Sequence, residues 1–200
     1  MWSIHKYNAA VREAEEAGFA WECTDTISLI RQDWRNALKK ETWCKHTRML
    51  VTEDIPDLGR YREMLHQLRP TALIAWRCKD KNVDALKGLT ALQSLNLLDC
   101  PALQNVDALK GLTALQVLGL NGCTTLQNVD GLKGLTELQI LHLSRCTALQ
   151  NVDALKGLAN LRTLSLHDCD KIPAAALREL RAALPNTYIT FPDGSENPPQ

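Results

Sequence analysis

The chain has 200 residues, of which 23 are basic and 23 acidic, so its formal net charge is zero with histidine neutral. This balance argues against a nucleic-acid partner, because phosphate contacts need an excess of lysine and arginine. The first residues lack the apolar core of a secretory signal, and no run of about 18 apolar residues predicts a membrane-spanning helix. We therefore expect neither a nucleic-acid nor a membrane partner.

Two helices are predicted near the N-terminus. The first covers residues 4–18, which are rich in alanine and glutamate and end at Gly18. The second covers 26–40, where capping oxygens precede apolar residues at three- and four-residue spacing. We expect residues 1–69 to form a helical N-terminal region that caps the rest. A separate ligand-binding domain is the alternative.

A strand, a helix and a second strand follow along the chain. Residues 48–52 are short and apolar and predict a strand. Residues 58–68 predict a helix, with its apolar side chains turned inward: Tyr61, Met64, Leu65 and Leu68. Residues 71–78 predict the second strand.

Residues 82–169 contain four copies of one unit at a fixed period of 23 residues. Each copy opens with the phrase Asn82-Val83-Asp84-Ala85-Leu86-Lys87-Gly88-Leu89, or a near copy beginning at Asn105, Asn128 or Asn151. An apolar staircase follows, and in the first copy it is Leu92, Leu95, Leu97 and Cys100. Such a period predicts a solenoid, since a single unit cannot bury its apolar face alone.

Within each unit, Leu-x-Leu predicts a strand with the leucines inward, and Val-Asp-x-Leu predicts a short helical turn. The aspartates are expected to cap that turn (Asp84, Asp107, Asp130, Asp153), and the glycines to end it (Gly88, Gly111, Gly134, Gly157). Aspartate and lysine three residues apart predict a weak ion pair on a solvated face. Leu73, Ala75 and Cys78 reproduce the staircase, and Leu50 lies 23 residues earlier than Leu73, so degenerate coils precede the regular ones, the first at 48–69.

The C-terminal residues repeat the order of helix, proline and strand. A helix is predicted over 174–184 with Leu177, Leu180 and Leu184 on one face, followed by a strand over 187–191. We expect residues 171–191 to cap the last coil. Residues 192–200 are rich in polar breakers and predict a disordered tail.

Four of the seven cysteines recur at the same slot of successive units. Stacked strands lie about 4.8 Å apart, which disulfide geometry nearly tolerates. Inward cysteine also behaves as a small apolar residue, and neighbouring coils would compete for partners. We therefore expect a reduced, buried column and a cytoplasmic protein. The absence of a Cys-x-x-Cys pair argues against zinc.

The spacing L-x-x-L-x-L-x-x-C over residues 82–169 resembles cysteine-containing leucine-rich repeats of 23 residues, such as those of plant cytosolic immune receptors. The resemblance implies an α/β solenoid over 70–170, a right-handed curved array with a parallel β-sheet on the concave face. It also implies binding of a protein partner through that face. Only the skeleton is carried over, as at Leu95, Leu97 and Cys100.

The four copies differ mainly at the outward strand positions. The helical turns are also exposed and have not diverged, which favours recognition over neutral drift. We therefore expect these positions to contact a partner, and the candidate residues are Ile74, Trp76, Asn96, Leu98, Val117, Asn121, Ile140, His142, Arg145, Arg162, His167 and Asp168. An aromatic anchor beside charged groups is typical of a binding hot spot. The alternative for Trp76 is burial under the N-terminal helices.

An enzyme is the weaker hypothesis. Ser144 and His167 occupy the same slot of adjacent units, and Asp168 follows, but nucleophilic catalysis also needs an oxyanion hole and a closed pocket. His142 and His167 are too far apart on the diagonal to predict a shared metal. We expect no catalytic site, no metal and no cofactor.

The sequence thus predicts a monomeric, non-enzymatic module that binds a protein through its repeat strands. In the alternative hypothesis, the N-terminal region is the effector or binding domain and the repeats are its scaffold.

Overall fold

The computed structural model describes residues 26–29, 49–52 and 57–197, which contain a single sheet of nine strands in chain order. The first eight strands are parallel neighbours, and the ninth pairs antiparallel to the eighth. The strands are β1 (Thr26–Leu29), β2 (Met49–Thr52), β3 (Ala72–Trp76), β4 (Ser94–Leu98), β5 (Val117–Gly119), β6 (Ile140–His142), β7 (Thr163–Ser165), β8 (Tyr188–Thr190) and β9 (Glu196–Asn197). Each turn of the chain that contains one of the parallel strands is called a coil below and is named for its strand. The predicted parallel solenoid is confirmed, and its right-handed curvature stays a prediction.

The register of the sheet follows the repeat. One row of aligned residues runs through Ile27, Leu50, Leu73, Leu95, Leu118, Leu141, Leu164 and Ile189. The strands predicted at 48–52 and 71–78 are therefore present and in register, while the assignment of residues 48–69 to a degenerate coil stays a prediction. Leu73 and Leu95 are 95 − 73 = 22 residues apart, so the connection between these coils is one residue shorter than the 23-residue period.

The helix predicted over 26–40 is wrong at its first residues, which form β1. Ile27 aligns with Leu50, and parallel pairing with β2 satisfies the backbone of this segment. That pairing outweighs the helical spacing of the apolar residues. The helix predicted over 4–18 and the remainder of 26–40 lie outside the described residues.

The helix predicted over 58–68 is present in two parts. A 3-10 turn covers Leu58–Tyr61, and helix α1 covers Arg62–Leu68. Asp57 accepts a hydrogen bond from Gly59 N at 2.7 Å, and Asp80 accepts one from Leu58 N at 2.8 Å. The described residues up to position 69 therefore contribute β1, β2 and this helix to the solenoid; the strand was predicted at 48–52 but not at 26–29.

The core is a column of leucine and cysteine. Every leucine of the four regular staircases is at most 2% exposed, and so are the five cysteines that follow the strands: Cys78, Cys100, Cys123, Cys146 and Cys169. Burial of one leucine side chain contributes about 1.5–3 kcal/mol, so the repeated leucines dominate the stability of each coil.

The return legs contain short 3-10 turns at Asp84–Leu86, Asp107–Leu109, Asp130–Leu132 and Asp153–Gly157. The predicted capping aspartates are not the acceptors. The side-chain oxygen of the asparagine two residues earlier accepts the aspartate N–H, at 3.1, 3.4, 3.2 and 2.9 Å in the four coils. Asparagine does this readily because its short amide reaches its own backbone two residues on.

The glycine and ion-pair predictions hold in only part of the array. Gly88, Gly111 and Gly134 have the expected positive φ of 89°, 102° and 88°. Gly157 also ends its 3-10 turn, as the last residue, but it is not among the glycines of positive φ. Among the described coils, the predicted ion pair between aspartate and the lysine three residues later forms only in the last one, where Lys156 Nζ lies 2.7 Å from Asp153 Oδ1. Lys156 Nζ also lies 2.6 Å from Glu179 Oε2.

The C-terminal segment packs onto the last coil. Helix α2 (Ala174–Ala183) directs Leu180 into the core, and the buried Thr187 hydroxyl donates to Leu161 O at 2.6 Å. The disordered tail predicted from residue 192 is contradicted up to residue 197, because the chain turns back and β9 pairs with β8. No helix in the described ranges is both long and apolar enough to cross a membrane.

Candidate partner-binding face

The side chains between the inward leucines form aligned rows on the face of the sheet opposite the core, called the open face here. The first row is Ala72, Ser94, Val117, Ile140 and Thr163, and the second is Ile74, Asn96, Gly119, His142 and Ser165. Trp76 aligns with Leu98 in the third row, which continues through Asn121, Ser144 and His167. Backbone hydrogen bonds keep the coils in step beyond the strand ends, as from Arg145 N to His167 O at 2.7 Å.

Most of the predicted contact residues are accessible. Arg145, Arg162 and His167 are exposed, and the partly exposed ones are Trp76, Asn96, Leu98, Val117, Asn121, Ile140, His142 and Asp168. Ile74 is a correction, because it is only 7% exposed. It aligns with Val51 on one side and Asn96 on the other, and at this exposure it offers almost no contact surface.

The N-terminal end of the open face is apolar. Trp76 lies beside Leu98, and both are partly exposed. The indole nitrogen of Trp76 is covered and has no hydrogen-bond partner among the described residues. An unsatisfied buried donor costs about 1–3 kcal/mol, so this ring is held by packing alone.

Two glycines of the β5 coil make room for side chains of the β4 coil. A Cβ at Gly119 would fall 2.5 Å from Asn96 Oδ1, and one at Gly122 would collide with Asp99 Oδ1. Asn96 and Asp99 therefore lie across the β5 coil. Asn96 Oδ1 is buried there without a hydrogen-bond partner. Gly119 was not among the predicted site residues, although its place in the second row was visible in the sequence.

The C-terminal half of the open face carries a polar network. Asn121 Oδ1 accepts a hydrogen bond from Ser144 N at 2.9 Å, and the hydroxyls of Ser144 and Ser165 lie 2.7 Å apart. Sequence reasoning placed both serines in outward rows but selected neither as a partner contact, and considered Ser144 only in the enzyme hypothesis. Their contact becomes visible only when the register brings the β6 and β7 coils together.

Charged groups lie at the end of the same rows. Asp168 Oδ2 is 3.0 Å from His167 Nδ1 and 3.7 Å from Arg145 Nε. These side chains are 45% (Asp168), 49% (His167) and 74% (Arg145) exposed. Exposed pairs of this kind contribute about 0–1 kcal/mol, so the cluster is available for binding without being essential to the fold.

The serine–histidine–carboxylate arrangement is not assembled. Ser144 Oγ pairs with Ser165 Oγ, and no hydrogen bond joins it to His167. His167 does contact Asp168, but both are open to solvent. In the described part of the chain, no group of three or more metal-ligating side chains comes together.

The five described cysteines of the column are buried and none of them lies in a disulfide, while their reduced state stays a prediction. The Sγ atoms of Cys123, Cys146 and Cys169 donate to carbonyls of the preceding coil at 3.5, 3.2 and 3.0 Å. A hydrogen bond with the neighbouring Cys100 thiol, together with burial, raises the pKa of Cys123. The column therefore serves packing.

No protein-family model and no curated protein matches the sequence. Solved structures similar to it include internalin C2 from Listeria monocytogenes, with 24% identity, TM-score 0.49, and coverage of 63% of each chain. An internalin F of the same organism has 20% identity and TM-score 0.48, covering 71% of this chain and 38% of that chain. The leucine-rich repeat domain of the type III effector XopL has 18% identity and TM-score 0.45, covering 93% and 81%.

The matched region spans less than two thirds of either internalin structure. The fold assignment rests on this chain's own period, register and core. The 23-residue repeat, the parallel ladder of one strand per coil and the buried leucine staircase together give the chain the fold of a leucine-rich repeat solenoid.

Proposed function

We propose that this chain is an interaction module that binds a protein partner through the open face of β3 to β7. The observation that carries the proposal is where the repeats differ. The return legs are near copies, while the open-face rows change residue type at nearly every coil. Asn96, Gly119, His142 and Ser165 occupy equivalent positions but differ in size and in the type of polar group they carry, and Gly119 carries none.

The accessibility of these side chains supports the proposal. Leu98, Val117 and Ile140 are apolar and partly exposed, and Arg145 and His167 add polar groups at one edge. Protein interfaces commonly combine a desolvated apolar centre with a polar rim. The proposal keeps the cytoplasmic, monomeric setting predicted from the sequence.

The test compares two matched double variants in a pull-down from extracts of the cells that make the protein. Ile140→Ala with His142→Ala alters the open face, and Lys110→Ala with Lys133→Ala alters the return legs. We expect the first pair to lower partner recovery at least about tenfold and the second to leave it unchanged. Thermal unfolding should show that both variants stay folded. Equal recovery by both would contradict the proposal.

The alternative assigns binding to the N-terminal region, with the repeats as a scaffold. Deleting residues 1–69 would remove β1 and β2 and expose the edge of β3, so a smaller deletion is the cleaner experiment. A variant lacking residues 1–25 keeps every described strand. Loss of the partner on this deletion, with recovery retained by the Ile140 and His142 variant, would support the alternative.

A further inference from the structure

The segments beyond the carboxyl ends of strands β3 to β7 form one edge of the solenoid, called the loop edge here. They are residues 77–80, 99–102, 122–125, 145–148 and 168–171. Backbone hydrogen bonds of 2.7–3.1 Å keep their first residues in step, and they run from Arg77 N to Leu98 O, Asp99 N to Asn121 O, Gly122 N to Ser144 O, Arg145 N to His167 O and Asp168 N to Pro192 O. Equivalent positions of the five segments therefore lie in rows, about 4.8 Å apart from one coil to the next.

The first row of the loop edge has strained backbone. Arg77, Asp99, Arg145 and Asp168 have positive φ values of 54°, 51°, 63° and 60°, and Gly122 in the same row has a φ of 76°. Residues other than glycine seldom adopt this left-handed conformation, which costs stability, whereas glycine adopts it freely. Backbone strain of this kind concentrates at functional sites. Four charged side chains thus stand where glycine would suit the backbone better, which indicates a use for their charges.

The charges of the loop edge match in opposite sign on either side of the β5 coil. The first segment is Arg77-Cys78-Lys79-Asp80 and the last is Asp168-Cys169-Asp170-Lys171, so each charge of one has the opposite charge at the same position of the other. The second segment carries only Asp99, and the fourth carries only Arg145. The middle segment, 122–125, is uncharged. The loop edge is therefore complementary in charge to itself when it is turned end for end.

These charged residues are accessible. Asp80 and Asp168 are partly exposed, and the other six are exposed: Arg77, Lys79, Asp99, Arg145, Asp170 and Lys171. Within the chain, Arg145 Nε lies 3.7 Å from Asp168 Oδ2, and the two side chains are 74% and 45% exposed. A guanidinium has five donors and a carboxylate about four acceptor sites, so this pair has room for a second ionic contact on each side.

We propose that two copies of this chain pair along their loop edges as a two-fold dimer, with the symmetry axis beside Gly122. Turning one row end for end places Arg77 opposite Asp168 of the second copy, and Asp99 opposite Arg145 of the second copy. Lys79 and Asp80 meet Asp170 and Lys171 in the same way. The even spacing of the coils keeps this match over all five segments, and a two-fold contact uses the same surface on both copies. Each charge in the row then has opposite charges both beside it and across the contact.

The dimer goes beyond the proposed function, which needs only one chain. The loop edge lies at the ends of the strands, and the open face is the broad surface of the sheet, so pairing along the edge leaves the open face free. Exposed ion pairs stabilise weakly, and small polar contacts are typical of transient complexes. The dimer therefore forms as the protein concentration rises, and the monomer predicted from the sequence is its low-concentration state.

The experiment is sedimentation equilibrium of the full chain under reducing conditions, at about 5 to 500 µM protein and at about 0.05 and 0.5 M NaCl. At the lower salt concentration we expect the mean mass to rise with protein concentration toward that of two chains. It should stop there, because a two-fold contact closes on itself. The dissociation constant should rise at least about fivefold at the higher salt concentration, because salt screens exposed charges.

Two double variants of identical composition separate contacts between copies from contacts within a chain. Arg145→Asp with Asp168→Arg keeps an opposite pair within the chain, but in the dimer it places like charges across the contact at 77–168 and at 99–145. We expect the dissociation constant to rise at least about tenfold, because like charges across an interface are strongly unfavourable. Asp99→Arg with Arg145→Asp does the reverse, since neighbours in the row become alike while the contacts between copies stay opposite. We expect its dissociation constant to stay within about threefold of the unchanged chain.

Thermal unfolding of both variants confirms that they are folded. An unchanged chain that kept the mass of one copy throughout would overturn the dimer, and growth beyond two copies would overturn its symmetry. Equal association of the unchanged chain and the first variant would place the contact elsewhere. Loss of association in both variants would mean that pairs within each chain decide it. Either of these results would overturn the pairing of the loop edges.

Discussion

At the scale of single residues, Gly131 occupies a position that alanine fills in the other repeats, at Ala85, Ala108 and Ala154. A Cβ at Gly131 would collide with the backbone carbonyl of Val106. Because the obstacle is backbone rather than a flexible side chain, we expect Gly131→Ala to destabilise the protein by about 1–3 kcal/mol. Urea unfolding measures this change.

Gly157→Ala is the matched control for this prediction. Nothing lies within 4 Å of a Cβ at Gly157, and its φ is not positive. We expect its stability to stay level or to rise by about 0.5 kcal/mol, because alanine restricts the unfolded chain. If Gly131→Ala behaved like this control, the local backbone would be free to shift, and the repeat consensus would be the better guide to stability.

The sequence predicted inward residues better than outward ones. The leucine rows were predicted correctly because leucines that recur at a fixed period align in successive coils and are buried together in the core. Ile74 was placed on the binding face, yet only 7% of it is exposed. Burial on the outward side depends on what packs from other coils, and a single strand's alternation does not contain that information.

At the scale of elements, the 3-10 turns depend on asparagine. Asn128 Oδ1 accepts a hydrogen bond from Asp130 N at 3.2 Å. The Asp130 carboxylate makes no ion pair among the described contacts. We expect Asn128→Ala to cost about 0.5–2 kcal/mol, the range found when capping side chains are removed. Thermal unfolding and urea unfolding should agree on the loss.

Asp130→Ala tests the same turn from the other side. The aspartate is exposed, and we expect its removal to change stability by no more than about 0.5 kcal/mol. If Asp130→Ala lowered stability more than Asn128→Ala, Asp130 rather than Asn128 would be the residue that caps the turn. Equal and negligible effects would mean that neither side chain stabilises the turn.

Element prediction failed where pairing between coils, rather than local pattern, decides the structure. Residues 26–29 have helical spacing with their successors, but Ile27 aligns with Leu50, and β1 joins the sheet. Residues 196–197 are polar, yet β9 forms because the chain reverses at Gly194, which has a φ of 79°, and pairs with β8. Both are decided by a neighbouring strand.

At the scale of the whole molecule, each coil contacts mainly its two neighbours, so a change in one coil is transmitted chiefly through the register. The 22-residue step between Leu73 and Leu95 leaves the leucine row in alignment. A connecting loop thus absorbs the missing residue. The solenoid was predictable because the 23-residue period determines how the coils stack. The partner was not predictable because the open-face residues vary independently of that period.

This modularity predicts that one whole coil is removable. Deleting residues 105–127 joins Gln104 to Asn128 within the repeated phrase and places β4 directly beside β6, with Leu95 aligned to Leu141. Twenty-three residues at roughly 0.05–0.15 kcal/mol each give an expected loss of about 1–3 kcal/mol in the free energy of unfolding. The urea m-value should fall by roughly a tenth, because less surface is exposed on unfolding.

Deleting residues 105–115 is the control, since it removes a return leg and leaves its strand. The β5 strand would then follow β4 with no segment to cross the core, and the leucines of the two coils could not stack. We expect this variant to lose its cooperative unfolding transition, measured by circular dichroism in urea, while the whole-coil deletion keeps one. A whole-coil deletion that unfolded like the half-coil deletion would mean that the coils are coupled beyond nearest neighbours. The open-face residues could then not vary independently of the scaffold, and their divergence would lose its value as a sign of binding.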